Sequence, residues 1–268
     1  MILVDSHCHI DGEAFDADRD EVVERAREAG IAAMLTIGTG DPHSDDFRKA
    51  VDVPETYENV YASVGVHPHD AKLYDDIAEA HLIELTKSEK VIGWGEIGLD
   101  FYYDHSPRDV QKDVFRRQIR TAKDLDLPII IHSRDANDET VEILKDECSY
   151  EAFRGGIMHC FGGTLDMVKE LVPLGFLISF AGNVTFKNAD ALRAVAEILQ
   201  LNRMLIETDC PFLTPEPFRG RRNEPAFVVH TAKFLAELCE IELSAVADST
   251  TENFLNFFRL KLPGENAA

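Results

Sequence analysis

Eight short apolar runs, at residues 2–7, 31–37, 60–66, 91–97, 128–132, 156–160, 176–181 and 204–208, punctuate this 268-residue chain. A polar stretch or a helical pattern follows each, giving about one strand–helix unit per thirty-odd residues, the repeat of a parallel α/β sheet. The runs are mostly continuous rather than alternating, as strands covered on both faces require. Eight such units predict an α/β fold of the (β/α)8 TIM-barrel type, and the length is close to the roughly 250 residues of one. No stretch rich in Pro, Gly or Ser divides the chain. A single domain is therefore expected over 1–262, with 263–268 as a flexible C-terminal tail.

Helix signals fit that frame. Between the fourth and fifth runs, Ser106 is placed to cap a helix and Pro107 to open it, with Val110, Val114, Phe115, Ile119 and Ala122 on one face. Asp16 or Asp18 is placed to cap the first helix and Gly30 to end it.

The ends of the runs carry the chemistry. His7 and His9 sit in VDSHCH, Glu96 in VIGWGEIG, His132 in LPIIIH, His159 in GGIMH and Asp209 in RMLIETD. A parallel barrel gathers the C-terminal ends of its strands round one pocket, so residues spread over two hundred positions can share a site. An open doubly wound sheet collects ligands only near its switch point and does not account for this spread. On a strand His7 and His9 face the same way and Cys8 faces the other. Taken alone, HxH fits two ordinary buried histidines better than a metal site. Joined by two more histidines and two carboxylates at strand ends, it points to a metal.

Six ligands exceed the needs of one tetrahedral ion with an open position, so two divalent ions are expected. Glu96 is the candidate bridge, with His7, His9 and Asp209 completing one ion and His132 and His159 the other. Asp209 is also placed to take the proton of a metal-activated water, which makes Asp209 and Glu96 the candidate catalytic residues. Glu207, on the face of Asp209, is a candidate to orient a ligand or touch substrate, with a strand-end ion pair as the alternative. Further substrate-binding candidates are His67 in GVHPHD, Arg134, and the cluster Arg219, Arg221 and Arg222. Guanidinium forks match phosphate in geometry as well as charge. Pairing with surface acids is the plainer role for the cluster, and pairing with Asp135 or Glu96 for Arg134. A loop hydrogen bond is expected of His69. Tyr102, Tyr103, Phe161 and Phe180 are candidates to stack on bases, or packing residues.

Charge and composition narrow the partners. A net charge of −22 opposes non-specific attraction to a polyanion, although divalent ions can reverse the sign of the field at a pocket. The five cysteines are widely spaced without a CxxC pair, as expected for reduced thiols. No basic leader opens the sequence, and no run approaches the roughly 20 apolar residues of a spanning helix. A cytoplasmic protein with no membrane association and no obligate protein partner is expected.

The segments VDSHCH, GVHPH, GEIGLDFYYD, the series Gln111, Phe115, Gln118 and Ala122, PIIIHSRDA, HCFGG, ISFAGNVTF, LIETDCPFLTP, FRGRRNEP and TTENFL together resemble the TatD family of metal-dependent deoxyribonucleases, within the amidohydrolase-like barrels. The resemblance spans almost the entire chain. It implies a TIM-type barrel, a binuclear divalent-metal site and hydrolysis of phosphodiester bonds in DNA, single strands or ends being the expected substrate. Carried over position by position, its metal residues fall on His7, His9, Glu96, His132, His159 and Asp209. It implies Mg or Mn, while the imidazoles also suit Zn. The alternative is a binuclear-metal hydrolase of small esters, lactones or amides, since the fold alone does not choose.

Overall fold

The computed structural model describes residues 1–148 and 153–261; the tail expected over 263–268 lies outside the described residues. Each apolar run carries one strand: β1 Leu3–Cys8, β2 Ile31–Ile37, β3 Val60–Val64, β4 Val91–Asp100, β5 Ile129–Arg134, β6 Gly156–Met158, β7 Phe176–Phe180 and β8 Met204–Ile206. They pair in chain order, all parallel. The seam between β8 and β1 is joined by backbone bonds just beyond the strands, Asp209 N–H to His7 C=O and His9 N–H to Cys210 C=O, both 2.9 Å. The Ser6 hydroxyl adds a bond to Ile206 C=O. The helices are α1 Arg19–Glu28, α2 Asp46–Thr56, α3 Asp76–Leu85, α4 Arg108–Asp124, α5 Asn137–Cys148, α6 Leu165–Leu171, α7 Asp190–Ile198, α8 Val228–Leu238 and α9 Leu243–Phe258. The fold is a single-domain (β/α)8 TIM barrel.

The inside of the barrel is layered. Val4, Ala33, Leu35, Ile130, Ile157, Leu177 and Leu205 form its apolar floor, which Phe254 and Phe258 of α9 close from below. Two residues further along several of the same strands come Ser6, His132, His159, Ser179 and Glu207. Side chains alternate along a strand, so an apolar floor places polar groups at the rim of the same face. The register shifts between Asp5 and Cys8 in β1 and between Trp94 and Ile97 in β4. His7 and Glu96 lie on these irregularities, which re-aim side chains near a site. Gly98 lets β4 approach β5 closely: at φ 142° a Cβ there would lie 2.0 Å from the His132 carbonyl oxygen.

A second core, between sheet and helices, buries Leu3, Met34, Phe47, Trp94 and Phe115. Within it α4 fixes two strand ends through side chains. Gln118 exchanges two hydrogen bonds with the Val66 backbone, and Gln111 does the same with Asp100. Phe161 and Phe180 are also buried there, so they pack rather than stack on a ligand.

Two caps differ from expectation. Pro107 rather than Ser106 holds the N-cap position of α4. The Ser106 hydroxyl donates instead to His69 C=O and accepts from Lys72 N–H, a tertiary pairing that outcompetes the local one. Asp18 precedes α1, but its carboxylate accepts from Arg222 and not from a helix amide. Gly30 ends α1 as expected, at φ 89°. Among the described residues no helix is long and apolar enough to cross a membrane.

Candidate metal centre

All six candidate ligands meet at the C-terminal mouth of the barrel, in or beneath a cavity of about 1040 Å³ lined by His9, Glu96, His132, His159 and Asp209. Glu96 stands at their centre. Its Oε2 lies 3.5 Å from His7 Nε2. Its Oε1 lies 2.7 Å from His132 Nδ1 and 2.8 Å from His159 Nε2. Asp209 Oδ1 closes the other side, 3.4 Å from His9 Nε2 and 3.7 Å from His7 Nε2. Asp209 is left-handed, φ 54°, a conformation Asp tolerates better than most residues.

Several nitrogens have their protonation fixed by what they touch. His9 Nδ1 faces Ile37 C=O at 3.1 Å, and against a carbonyl it can only donate. Nε2 is then the nitrogen with a free lone pair, the arrangement common to metal-ligating histidines. His67 is arranged the opposite way. Its Nδ1 accepts from His69 N–H, so Nε2 carries the proton and points at Glu96 Oε1, 3.5 Å away. Distance alone would group His67 with Glu96 and His132 around an ion. The tautomer makes His67 a donor into the cavity instead.

The donor set fits divalent ions. His7 is fully buried, and neither of its ring nitrogens has a hydrogen-bond partner; Glu207 Oε2 is likewise buried and unpartnered. Leaving such a group unsatisfied costs about 1–3 kcal/mol, which a cation beside His7 Nε2, Glu96 and Asp209 would remove for that nitrogen. Burial, aided by His159, pushes His7 below its ordinary pKa, toward the neutral form that ligates. Burial would raise the Glu96 carboxyl, but His159, His67 and His132 hold it well below the usual range. Burial likewise opposes a charged His9, yet Asp209 raises it to about 9. Without an ion, the pocket gathers protons where cations would sit.

Glu207 is fully buried and does not line the cavity. Its Oε1 accepts Cys160 N–H at 2.7 Å and lies 3.3 Å from His159 Nδ1. It therefore backs His159, and the substrate contact expected of it is replaced by an orienting one. Asp100, which sequence reasoning passed over, does the same for two rings. Its Oδ2 lies 3.0 Å from His69 Nε2 and 3.1 Å from His132 Nε2, and its Oδ1 accepts from Tyr102 and Tyr103 N–H. The loop hydrogen bond expected of His69 is thus made to the end of β4.

The arginines separate. Arg134 lines the cavity, its guanidinium 4.2 Å from the Tyr102 ring and 4.7 Å from that of Tyr103. The cluster at 219–222 does not. Arg222 is engaged by both Asp18 oxygens and Ala14 C=O, Arg219 lies over Phe186 and Arg221 over Phe218. None of these three lines the cavity, and Arg222 takes the acid pairing that was the plainer expectation.

A TIM barrel whose mouth draws imidazoles and carboxylates round one cavity is the build of a metal-dependent hydrolase. The chain belongs to the TatD family: the profile of TatD related DNase matches residues 4–259. It is 45% identical over 259 residues to the metal-dependent hydrolase YabD of Bacillus subtilis (strain 168), covering 97% of this chain and 100% of that one. It is 37% identical to the 3'-5' ssDNA/RNA exonuclease TatD of Rahnella sp. (strain Y9602), over 92% and 94% of the two chains. The crystal structure of YJJV, a TatD homologue from Escherichia coli K12, superposes with a TM-score of 0.89 at 30% identity, over 97% and 98%. The phosphotriesterase homology protein of Escherichia coli, complexed with phosphate in its active site, shares the fold alone, with a TM-score of 0.70 at 16% identity over 96% and 98%.

Proposed function

We propose that this hydrolase is a deoxyribonuclease that cleaves phosphodiester bonds of single-stranded DNA or strand ends with two divalent ions. One observation carries the choice of an anionic substrate. In a chain of net charge −22, Arg134 lines the cavity beside the ligand cluster, is held by aromatic stacking, and makes no ion pair among the described residues. The Rahnella relative, named as acting on ssDNA and RNA, supports the same reading.

In it, His7, His9 and Asp209 would hold one ion and His132 and His159 the other, with Glu96 shared between them. When bound, divalent ions polarise a phosphoryl oxygen and lower the pKa of water toward about 7. The chain's own groups do the rest. Arg134 and the Nε2–H of His67 donate to the phosphate oxygens and orient the phosphorus. Asp209 accepts the proton of the attacking water as its oxygen bonds to phosphorus and the bond to the leaving oxygen breaks. Asp100 and Glu207 keep His132 and His159 turned toward Glu96. The imidazole-rich set suits Mn or Zn, and the carboxylates also admit Mg. The free state of all five cysteines supports a cytoplasmic location.

A panel of labelled single- and double-stranded DNA, RNA, p-nitrophenyl esters and lactones, run on one metal-reconstituted preparation, tests the reading. Cleavage of single-stranded DNA that is abolished by chelation is expected. Turnover of esters or lactones with every nucleic acid left intact would overturn it in favour of a small-molecule hydrolase.

A further inference from the structure

Phe212 is 60% exposed, one of the few large apolar side chains left in water, and it lines the cavity between Pro211 and Leu213. Keeping such a ring out of the core forgoes the burial of a large apolar side chain, so packing does not explain its place.

The backbone that carries the ring is nevertheless fixed. Phe212 N–H bonds Asp209 C=O at 2.9 Å. Its own carbonyl accepts from Asn223 Nδ2 at 2.6 Å, and that amide also donates to Thr208 C=O. Asn223 N–H returns to Pro211 C=O, and the Asn223 side chain is fully buried. An exposed ring on a pinned backbone needs little ordering when a ligand arrives.

Its position is specific too. Phe212 follows Asp209 by three residues, and its centroid lies 6.3 Å from that of His9, the rings near perpendicular at 72°. The other exposed rings of the mouth, Tyr102 and Tyr103, already carry Arg134. No cation lies over Phe212 among the described residues.

We propose that Phe212 determines specificity as the platform on which an unpaired nucleobase next to the scissile phosphate stacks. The inference rests on the nuclease reading and adds to it how the strand is gripped. Every base presents a π-face, so stacking of this kind is tolerant of sequence. A base inside a duplex has its faces covered by neighbours, so the platform selects frayed or single-stranded ends.

The test uses a short single-stranded oligonucleotide with one cleavable phosphodiester, the other linkages being phosphorothioates. Two companions have the base on the 5' or the 3' side of that bond replaced by hydrogen. For the holoenzyme, removing one of the two bases should lower kcat/KM about 5- to 100-fold, the range of one base–aromatic stack. Phe212→Ala should abolish that discrimination and Phe212→Trp should restore it. Each ratio is taken within one protein, so metal loading and folding cancel. Discrimination in Phe212→Ala equal to that of the native chain overturns the proposal, as does equal cleavage of all three substrates by the native chain. If none is cleaved while esters or lactones turn over, the nuclease reading itself falls.

Discussion

The rings of His7 and His159 lie stacked, their centroids 3.9 Å apart and their planes 14° from parallel, although they come from β1 and the end of β6. Both turn a nitrogen to Glu96, one to each oxygen. Two parallel imidazoles on one carboxylate crowd positive charge if both are protonated and form two ligating edges if they are neutral.

Metal analysis and calorimetry should find two divalent ions per chain, and Glu96→Gln should retain fewer. Chelation should lower the melting temperature, because an ion that binds only the folded state adds about 2.7 kcal/mol at a hundred times its Kd. Affinity should fall as pH falls, since protons compete for the same imidazoles and carboxylates. A single ion under every metal condition would remove the bridging role of Glu96.

Asp209→Asn should lower kcat by at least about 10²–10⁴-fold, the usual contribution of a proton acceptor, with a lost ligand adding to it. Near-normal turnover at saturating metal would show that another group takes the proton.

Glu207→Gln, beneath the pocket, should cost about 10- to 100-fold in metal affinity or activity by releasing His159. Metal titration of the variant separates this from substrate binding. Unchanged affinity together with a raised KM would return Glu207 to the substrate.

Arg134 and Arg222 should behave differently. Arg134→Gln should raise KM for oligonucleotides and reduce the slope of log affinity against log salt by about 0.7, one phosphate contact on a single strand. Arg222→Gln should leave that slope unchanged and reduce stability instead, since it unties Asp18 from the loop after β8.

On the helical face, Glu147 accepts from Arg120 and Arg116, and Arg120 leads in holding its carboxyl below the ordinary range. Glu147→Gln should cost about 1–3 kcal/mol at neutral pH. A depressed folded pKa stabilises above the unfolded value of about 4.3 and is lost as pH falls through the folded one. Melts of the two proteins should therefore converge as pH falls below about 4.3.

The strands and the gathering of the six side chains at one mouth were legible because burial on both faces writes continuous apolar runs and these residues close them. Asp100 was not: β4 runs on to residue 100, past the apolar run, because Gly98 lets it stay against β5. The Arg222 pairing was hidden as well, since Asp18 is 204 positions away in sequence and meets it only when the barrel closes. Phe161, Phe180 and Phe212 look alike as residues. Only the fold separates two that are buried from one that is exposed on a pinned turn.

Because His7 lies on β1, His9 just past it, and Asp209 follows β8, the seam that closes the barrel also completes the site. During synthesis the ribosome must release most of the chain before these residues can meet. A chain that has not yet been made past residue 209 carries the two imidazoles of β1 without Asp209, so the six side chains can gather only after β8 has joined the barrel.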